Sequence, residues 1–134
     1  MEEHLQRLQF ADLMIDTRVY NGGATTSNAL WAGVPVIPLL GNHFVSRMSA
    51  SSLMAIGLPE LITHTIEEYE SLALSLANNP DQLQAIRKKL AKNRLVEPLF
   101  DTPRFVQNLE KAYKEMWQTF LAGERPRQIT VAEN

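Results

Sequence analysis

The sequence predicts an α/β fold: a short parallel sheet of two or three strands, flanking helices and a long C-terminal helix. Three observations predict it. First, the apolar run Leu13 to Ile15, a glycine-containing turn, a short helix and the β-branched run Val34 to Leu40 form a strand–helix–strand unit. Such units give parallel strands joined by a right-handed crossover. Second, helix start signals and 3.6-residue apolar spacing recur from Thr65 onward. Third, Phe105, Leu109, Ala112, Tyr113, Met116, Trp117 and Phe120 fall on one face of a single long helix.

Residues 2–11 read as the end of a helix, with Leu5, Leu8 and Phe10 at roughly helical spacing. Its abrupt start is how a piece of a longer protein would begin. Leu13 to Ile15 is short, apolar and bounded by a polar residue, the pattern of a buried strand. The next helix runs from about Thr25 to Ala32, with Thr25, Thr26 and Ser27 available to cap its first turn. Gly33 supplies its left-handed stop and Pro35 follows. Val34 to Leu40 is the second strand, with Pro35 and Pro38 confining its hydrogen bonding. Gly41 to Phe44 is a turn, and a helix rich in small residues (Ser46, Ser49, Ala50, Ser51, Ser52) follows from about Val45 to Ile56 and stops at Gly57. Small side chains let that helix pack close to a neighbour or a ligand. Leu61 to Thr63 reads as a third short strand.

Thr65 and Glu68 form a capping box for a helix to about Asn78. Asn79 and Pro80 open another, with Leu83, Ile86 and Leu90 on its apolar face. Lys88, Lys89, Lys92 and Arg94 crowd its C-terminal end, where the helix dipole favours cations, and read as a solvated end. Leu95 to Asp101 is a connector, Thr102-Pro103 opens the long helix, and a polar stretch containing Pro126 follows Gly123.

The 134 residues suit one domain or a piece of one, and 45% hydrophobic with 21% charged residues is a globular composition. A net charge of −2 gives no nucleic-acid footprint. The absence of Cys excludes a disulfide framework, a thiolate nucleophile and a zinc–thiolate site, and fits a cytoplasmic protein. No apolar run approaches the ~18 residues of a membrane span, so no membrane partner is expected. His4, His43 and His64 lack ligand spacing, so no metal site is expected.

The stretch from Asp16 to Gly33 carries the chemistry. Glycines at 22 and 23 allow a tight turn or a close approach to a ligand. A helix N-terminus offers free N–H groups and partial positive charge, a seat for phosphate. Gly22 to Asn28 therefore reads as a nucleotide-diphosphate site, with a plain turn before a capped helix as the alternative. Asp16 and Asn21 stand at the strand end, where α/β proteins gather ligands, or serve as turn acceptors. Arg47 either approaches a phosphate or holds a carboxylate in the sheet; the structural role is favoured. His43 faces the cleft or is simply exposed. Trp31 reads as packing its helix onto the sheet, and the aromatic stripe from Phe105 to Phe120 as core or a lobe contact.

Asp16-Thr17, Asn21-Gly22-Gly23, Thr25-Thr26, Leu30-Trp31-Ala32-Gly33-Val34-Pro35 and Ser46-Arg47 resemble the C-terminal catalytic lobe of O-linked N-acetylglucosamine transferase and SPINDLY-type glycosyltransferases. The match continues through Leu58-Pro59-Glu60-Leu61-Ile62, Glu67-Glu68-Tyr69 and Pro98-Leu99-Phe100-Asp101-Thr102 to the final helix, covering roughly residues 4–123. The resemblance implies a partial Rossmann-like lobe of a GT-B glycosyltransferase over residues 1–123; residues 124–134, polar and containing Pro126, read from their composition as a disordered tail. It implies transfer of N-acetylglucosamine or a related sugar from a UDP-sugar to Ser or Thr of a protein acceptor, with no metal cofactor. The missing partners would be an N-terminal catalytic lobe and tetratricopeptide repeats. The family's proposed catalytic base and uracil contacts lie in segments absent here, so no catalytic residue is assigned.

By the same resemblance Gly22, Gly23, Thr25 and Thr26 contact the diphosphate and Asn28 the ribose. Some members have a histidine where Gly23 stands, and Ala24 replaces a hydroxyl residue. Asn28 stands where the family often carries an aspartate, keeping an acceptor but losing its charge. Two other readings stay open: a non-catalytic protein-interaction domain, and part of a GT-B-like sugar-nucleotide epimerase. The isolated chain is expected to be inactive.

Overall fold

The structure is a computed structural model describing residues 2–132; Met1 and the last two positions of the expected tail, 133 and 134, lie outside the described residues. The chain divides into two compact units, Met1–Leu99 and Phe100–Asn134.

In the first unit, helix α1 (Glu2–Leu8) leads to strand β1 (Met14–Ile15), helix α2 (Ala24–Ala32) and strand β2 (Val36–Ile37). The strands are parallel, with Met14 opposite Val36 and Ile15 opposite Ile37. Beyond β2 a lone parallel bridge joins Leu39 to Thr63. The strand expected at Leu61 to Thr63 is thus reduced to one bridging residue, because Pro59 starts a 3-10 turn that ends at Leu61. The apolar run around β2 also keeps little ladder. Pro35 and Pro38 have no N–H to donate, though their carbonyls accept from Met14 at 2.9 Å and Thr63 at 3.2 Å.

Thr, Ser and Asn are indifferent helix formers, so α2 is held chiefly by what it buries: Thr26, Ala29, Leu30 and Ala32. It ends at Gly33, whose φ of +87° favours glycine. No side-chain cap opens it, contrary to the expectation for Thr25, Thr26 and Ser27, because Thr26 is turned inward and Gly23 occupies the capping position. Trp31 is about half exposed, and the Arg94 guanidinium stands 5.9 Å from its ring centroid. The expected helix from Val45 splits into a 3-10 turn at Phe44–Ser46 and helix α3 (Met48–Ala55).

Helix α4 (Ile66–Asn78) starts as a variant of the expected capping box. Thr65 accepts from the Glu68 N–H at 3.1 Å, while the Glu68 carboxylate reaches one residue further back, to the His64 N–H at 2.8 Å. Asn79 caps helix α5 (Pro80–Asn93) by accepting from Gln82 N–H at 3.1 Å. The core gathers Leu30, Val36, Ile37, Leu53, Leu76 and Leu90, each fully buried. Each such side chain contributes about 1.5–3 kcal/mol relative to exposure.

The basic end of α5 is not simply solvated. Arg87 donates to the carbonyls of Ala11 and Asp12 at 2.9 and 3.1 Å, just past α1. Asn93 donates to Ile56 and Gly57 at 2.9 and 3.3 Å, at the end of α3. Arg94 donates to Trp31 at 2.7 Å, at the end of α2, and Lys89 pairs with Glu60 at 2.6 Å. Carbonyls at the ends of α2 and α3, and in the segment that follows α1, are thus met by side chains of α5 and its C-cap residue, Arg94.

The second unit holds helix α6 (Thr102–Leu121), capped by Asp101, which accepts from Arg104 N–H at 3.0 Å. Its aromatic stripe is not core: Phe105, Tyr113, Trp117 and Phe120 are exposed. One helix and a short extension provide no second layer to bury it. Residues 124–132 carry no helix or strand, and Arg127 pairs with Glu115 at 3.3 Å. Among the described residues no helix is long and apolar enough to cross a membrane.

Candidate functional site

The site is built on the turn that joins β1 to α2, at the carboxyl end of the parallel strands. Asp16 directly follows β1 and is 3% exposed. Its Oδ1 accepts the Thr17 N–H at 2.8 Å and the Gly22 N–H at 2.9 Å, so it serves as the turn's acceptor. Its Oδ2 is buried without a partner, as is Oδ1 of Asn21. Asn21 is fully buried and braces the turn by donating to the Thr17 carbonyl at 2.9 Å, while its N–H reaches Val45 O at 2.8 Å.

Neither Gly22 nor Gly23 has a positive φ; what Gly22 supplies is space. A Cβ there would stand 2.6 Å from Thr26 Oγ1 and 3.1 Å from Thr26 N. At Gly23 a Cβ would meet only the flexible end of Met48, at 2.9 Å. The close approach read from the sequence is therefore, at Gly22, an approach to the protein itself.

Helix α2 then leaves its first N–H groups open. The first intrahelical donor is Ser27, to Gly23 O at 3.1 Å, and the N–H groups of Gly23 to Thr26 have no partner among the described residues. Thr25 is exposed, Asn28 half-buried, and Thr26 fully buried with its hydroxyl 2.7 Å from Ser49 Oγ.

Beside this turn opens a cavity of about 810 Å³, lined by Gly23, Phe44, Arg47, Met48, Ile62 and His64 among others. Of the residues singled out in the sequence, Gly23 and Arg47 line it; Asp16, Asn21, Gly22, Thr25, Thr26, Asn28 and His43 do not. Among the described residues Arg47 holds no carboxylate; its Nη1 donates to Gly41 O at 3.1 Å. His43 is exposed and the Ser46 hydroxyl donates to its carbonyl at 2.9 Å. His64, passed over because it lacked ligand spacing, lines the cavity instead. Among the described residues no group of three or more His, Asp or Glu is placed to hold a metal.

Tyr69 was also missed as part of this region. Its hydroxyl donates across 53 positions to the main-chain oxygen of Asp16 at 2.8 Å. Burial, and then the negative charge of Asp16, raises its pKa above the usual tyrosine value. A raised value favours the neutral phenol in the folded chain. That contribution to stability is complete below the ordinary pKa of about 10 and is lost as pH rises through the higher folded value. Tyr69→Phe is expected to cost about 1 kcal/mol at neutral pH. Urea unfolding should show the gap between the two proteins narrowing at strongly alkaline pH; a constant gap would mean the hydroxyl does not carry it.

With this geometry in view, the chain's relatives are informative. Residues 1–109 match Glycosyl transferase family 41. An Arabidopsis thaliana protein named "Probable UDP-N-acetylglucosamine--peptide N-acetylglucosaminyltransferase SEC" is 44% identical over 98% of this chain and 14% of its own length. A SPINDLY protein of Hordeum vulgare, whose name carries the same activity, is 35% identical over 92% of this chain and 13% of its own length. The solved O-GlcNAc transferase of Thermobaculum terrenum superposes with a TM-score of 0.83 at 35% identity, over 88% of this chain and 23% of that one. The chain thus spans a small fraction of these relatives and carries the α/β architecture of a GT-B lobe. The resemblance first visible in the turn and its neighbours holds along the chain, and the chain belongs to glycosyl transferase family 41.

Proposed function

We propose that this chain is the C-terminal part of a protein O-glycosyltransferase and supplies the diphosphate seat for its UDP-sugar donor. The observation that carries the reading is the open N-terminus of α2. Of four consecutive N–H groups without partners, those of Gly23, Ala24 and Thr25 belong to residues that reach the surface, at the carboxyl end of a parallel sheet and beside a cavity that Gly23 shares. Such a terminus attracts an anion by its free donors and by its dipole, without a metal. The exposed Thr25 hydroxyl adds a donor, and Asn28, one turn on, offers its side-chain carbonyl to a ribose hydroxyl. Thr26, fully buried with its hydroxyl directed to Ser49, presents no surface to the ligand.

The sugar transferred is N-acetylglucosamine or a relative, and the acceptor a Ser or Thr of a protein; the names of the relatives support the sugar and a peptide acceptor. Transfer requires both substrates held in one closed site, so this chain alone binds the donor without turning it over. An N-terminal lobe and tetratricopeptide repeats would complete the enzyme. Ala24, which has no hydroxyl, and Asn28, which has no charge, make for a weak donor site.

Titration of the 134-residue chain with UDP, followed by NMR, tests this. The amide signals of Gly22, Gly23, Thr25 and Thr26 are expected to move, and Thr25→Ala to weaken binding. Amides that stay still at millimolar UDP would sink the proposal.

A further inference from the structure

Gly22 is held from two sides by side chains far apart in sequence. Its N–H goes to Asp16 Oδ1 at 2.9 Å. Its carbonyl accepts from the Ser49 hydroxyl at 3.1 Å, and Ser49 Oγ lies 2.7 Å from Thr26 Oγ1. A hydroxyl has one hydrogen to give. Ser49 spends it on Gly22, so Thr26 must donate to Ser49. The order of donors is then fixed: Thr26 to Ser49, Ser49 to the Gly22 carbonyl, and the Gly22 N–H to Asp16. Ser49 and Thr26 are fully buried, and no side chain fits at position 22.

This arrangement has a directional effect. The chain has no cis peptide bond among the described residues, and in a planar trans peptide the C=O and the following N–H point in opposite directions. Anchoring the Gly22 carbonyl toward α3 therefore turns the Gly23 N–H away from α3, as the first of the open donors. We propose that Ser49 is a positioning residue for the donor diphosphate. It acts through the Gly22–Gly23 peptide, with Thr26 orienting its hydroxyl. The proposal deepens the reading of this turn as the diphosphate seat and rests on it. Ser49 touches no ligand itself; it sets the aim of a main-chain donor that does.

The test compares Ser49→Ala, Thr26→Val and Thr26→Ser in the 134-residue chain. Affinity for UDP and for inorganic pyrophosphate is measured beside the Gly23 amide shift in the ligand-free state. Ser49→Ala and Thr26→Val are expected to move the Gly23 amide and to weaken both ligands about tenfold, the worth of roughly one hydrogen bond. Thr26→Ser keeps the hydroxyl and is expected to keep the shift and the affinities. A merely structural serine would leave the affinities of the folded variant unchanged, and that result overturns the proposal. Weakening by Thr26→Ser as large as by Thr26→Val does the same. Should Ser49→Ala fail to fold, the two Thr26 variants carry the comparison. If the unsubstituted chain binds neither ligand, the donor-site reading falls and this proposal with it. The Gly23 shift then shows separately whether the hydroxyl pair orients the peptide.

Discussion

Asp16→Ala is expected to destabilise the chain by about 2–3 kcal/mol, because hydrogen bonds to a charged acceptor are worth more than neutral ones and their donors are left stranded. One oxygen of Asp16 gathers the N–H groups of Thr17 and Gly22, and the side chain is 3% exposed, so water cannot readily take its place. Asp16→Asn is expected to cost less. The amide oxygen keeps the acceptor, and its nitrogen falls where Oδ2 has no donor beside it to clash with. Urea unfolding with an unchanged m-value measures both. Equal losses for the two substitutions would show that charge, rather than acceptor geometry, holds the turn. The Thr17 and Gly22 amides should also exchange faster in Asp16→Ala, since they lose their acceptor.

Leu30→Ala has a comparable or larger effect from a different cause. Leu30 is fully buried on α2, which packs against α1, α3 and β2. Truncation removes its transfer free energy and leaves a cavity, at a cost of about 2–5 kcal/mol. Against a usual total of about 5–15 kcal/mol, that is a large share of the stability. The expected result is a lower urea midpoint at constant m-value. A loss under 1 kcal/mol would mean that the neighbours collapse into the space. Because α2 carries the turn at its N-terminus, UDP binding should weaken in parallel with folding rather than through any lost contact.

The helix boundaries were largely legible because they depend on neighbours in sequence. Gly33 and Gly57 end their helices with positive φ, and Thr65 and Asn79 cap theirs. The strands were legible as apolar runs but not in extent, since proline removes donors without changing the apolar pattern. Leu61 looked like a strand residue and lies in a 3-10 turn, where Pro59 decided the conformation. The turn between Asp16 and Thr26 was legible as a glycine-containing turn before a helix, yet its internal wiring was not. Whether Asp16 meets a ligand or Gly22 depends on side-chain direction, and the Ser49–Thr26 pair spans 23 positions and two helices. The density of small residues around Ser49 was the one hint that this helix approaches something closely. The amphipathic face of α6 was read correctly as apolar, but apolarity in sequence does not say whether anything lies against it.

Helix α5 carries a consequence for the order in which the first unit comes apart. Arg87, Asn93 and Arg94 meet carbonyls at or just past the ends of α1, α3 and α2. Fraying at the end of α2 or α3 breaks a bond to Arg94 or Asn93, neighbours at the end of α5, so these two openings are coupled and are expected to behave as one cooperative block in hydrogen exchange. The helix that presents donor N–H groups at its first turn is thereby tethered at its last. Rigidity at the turn is supplied in part from more than 60 positions away along the chain, by Arg94 at the Trp31 carbonyl.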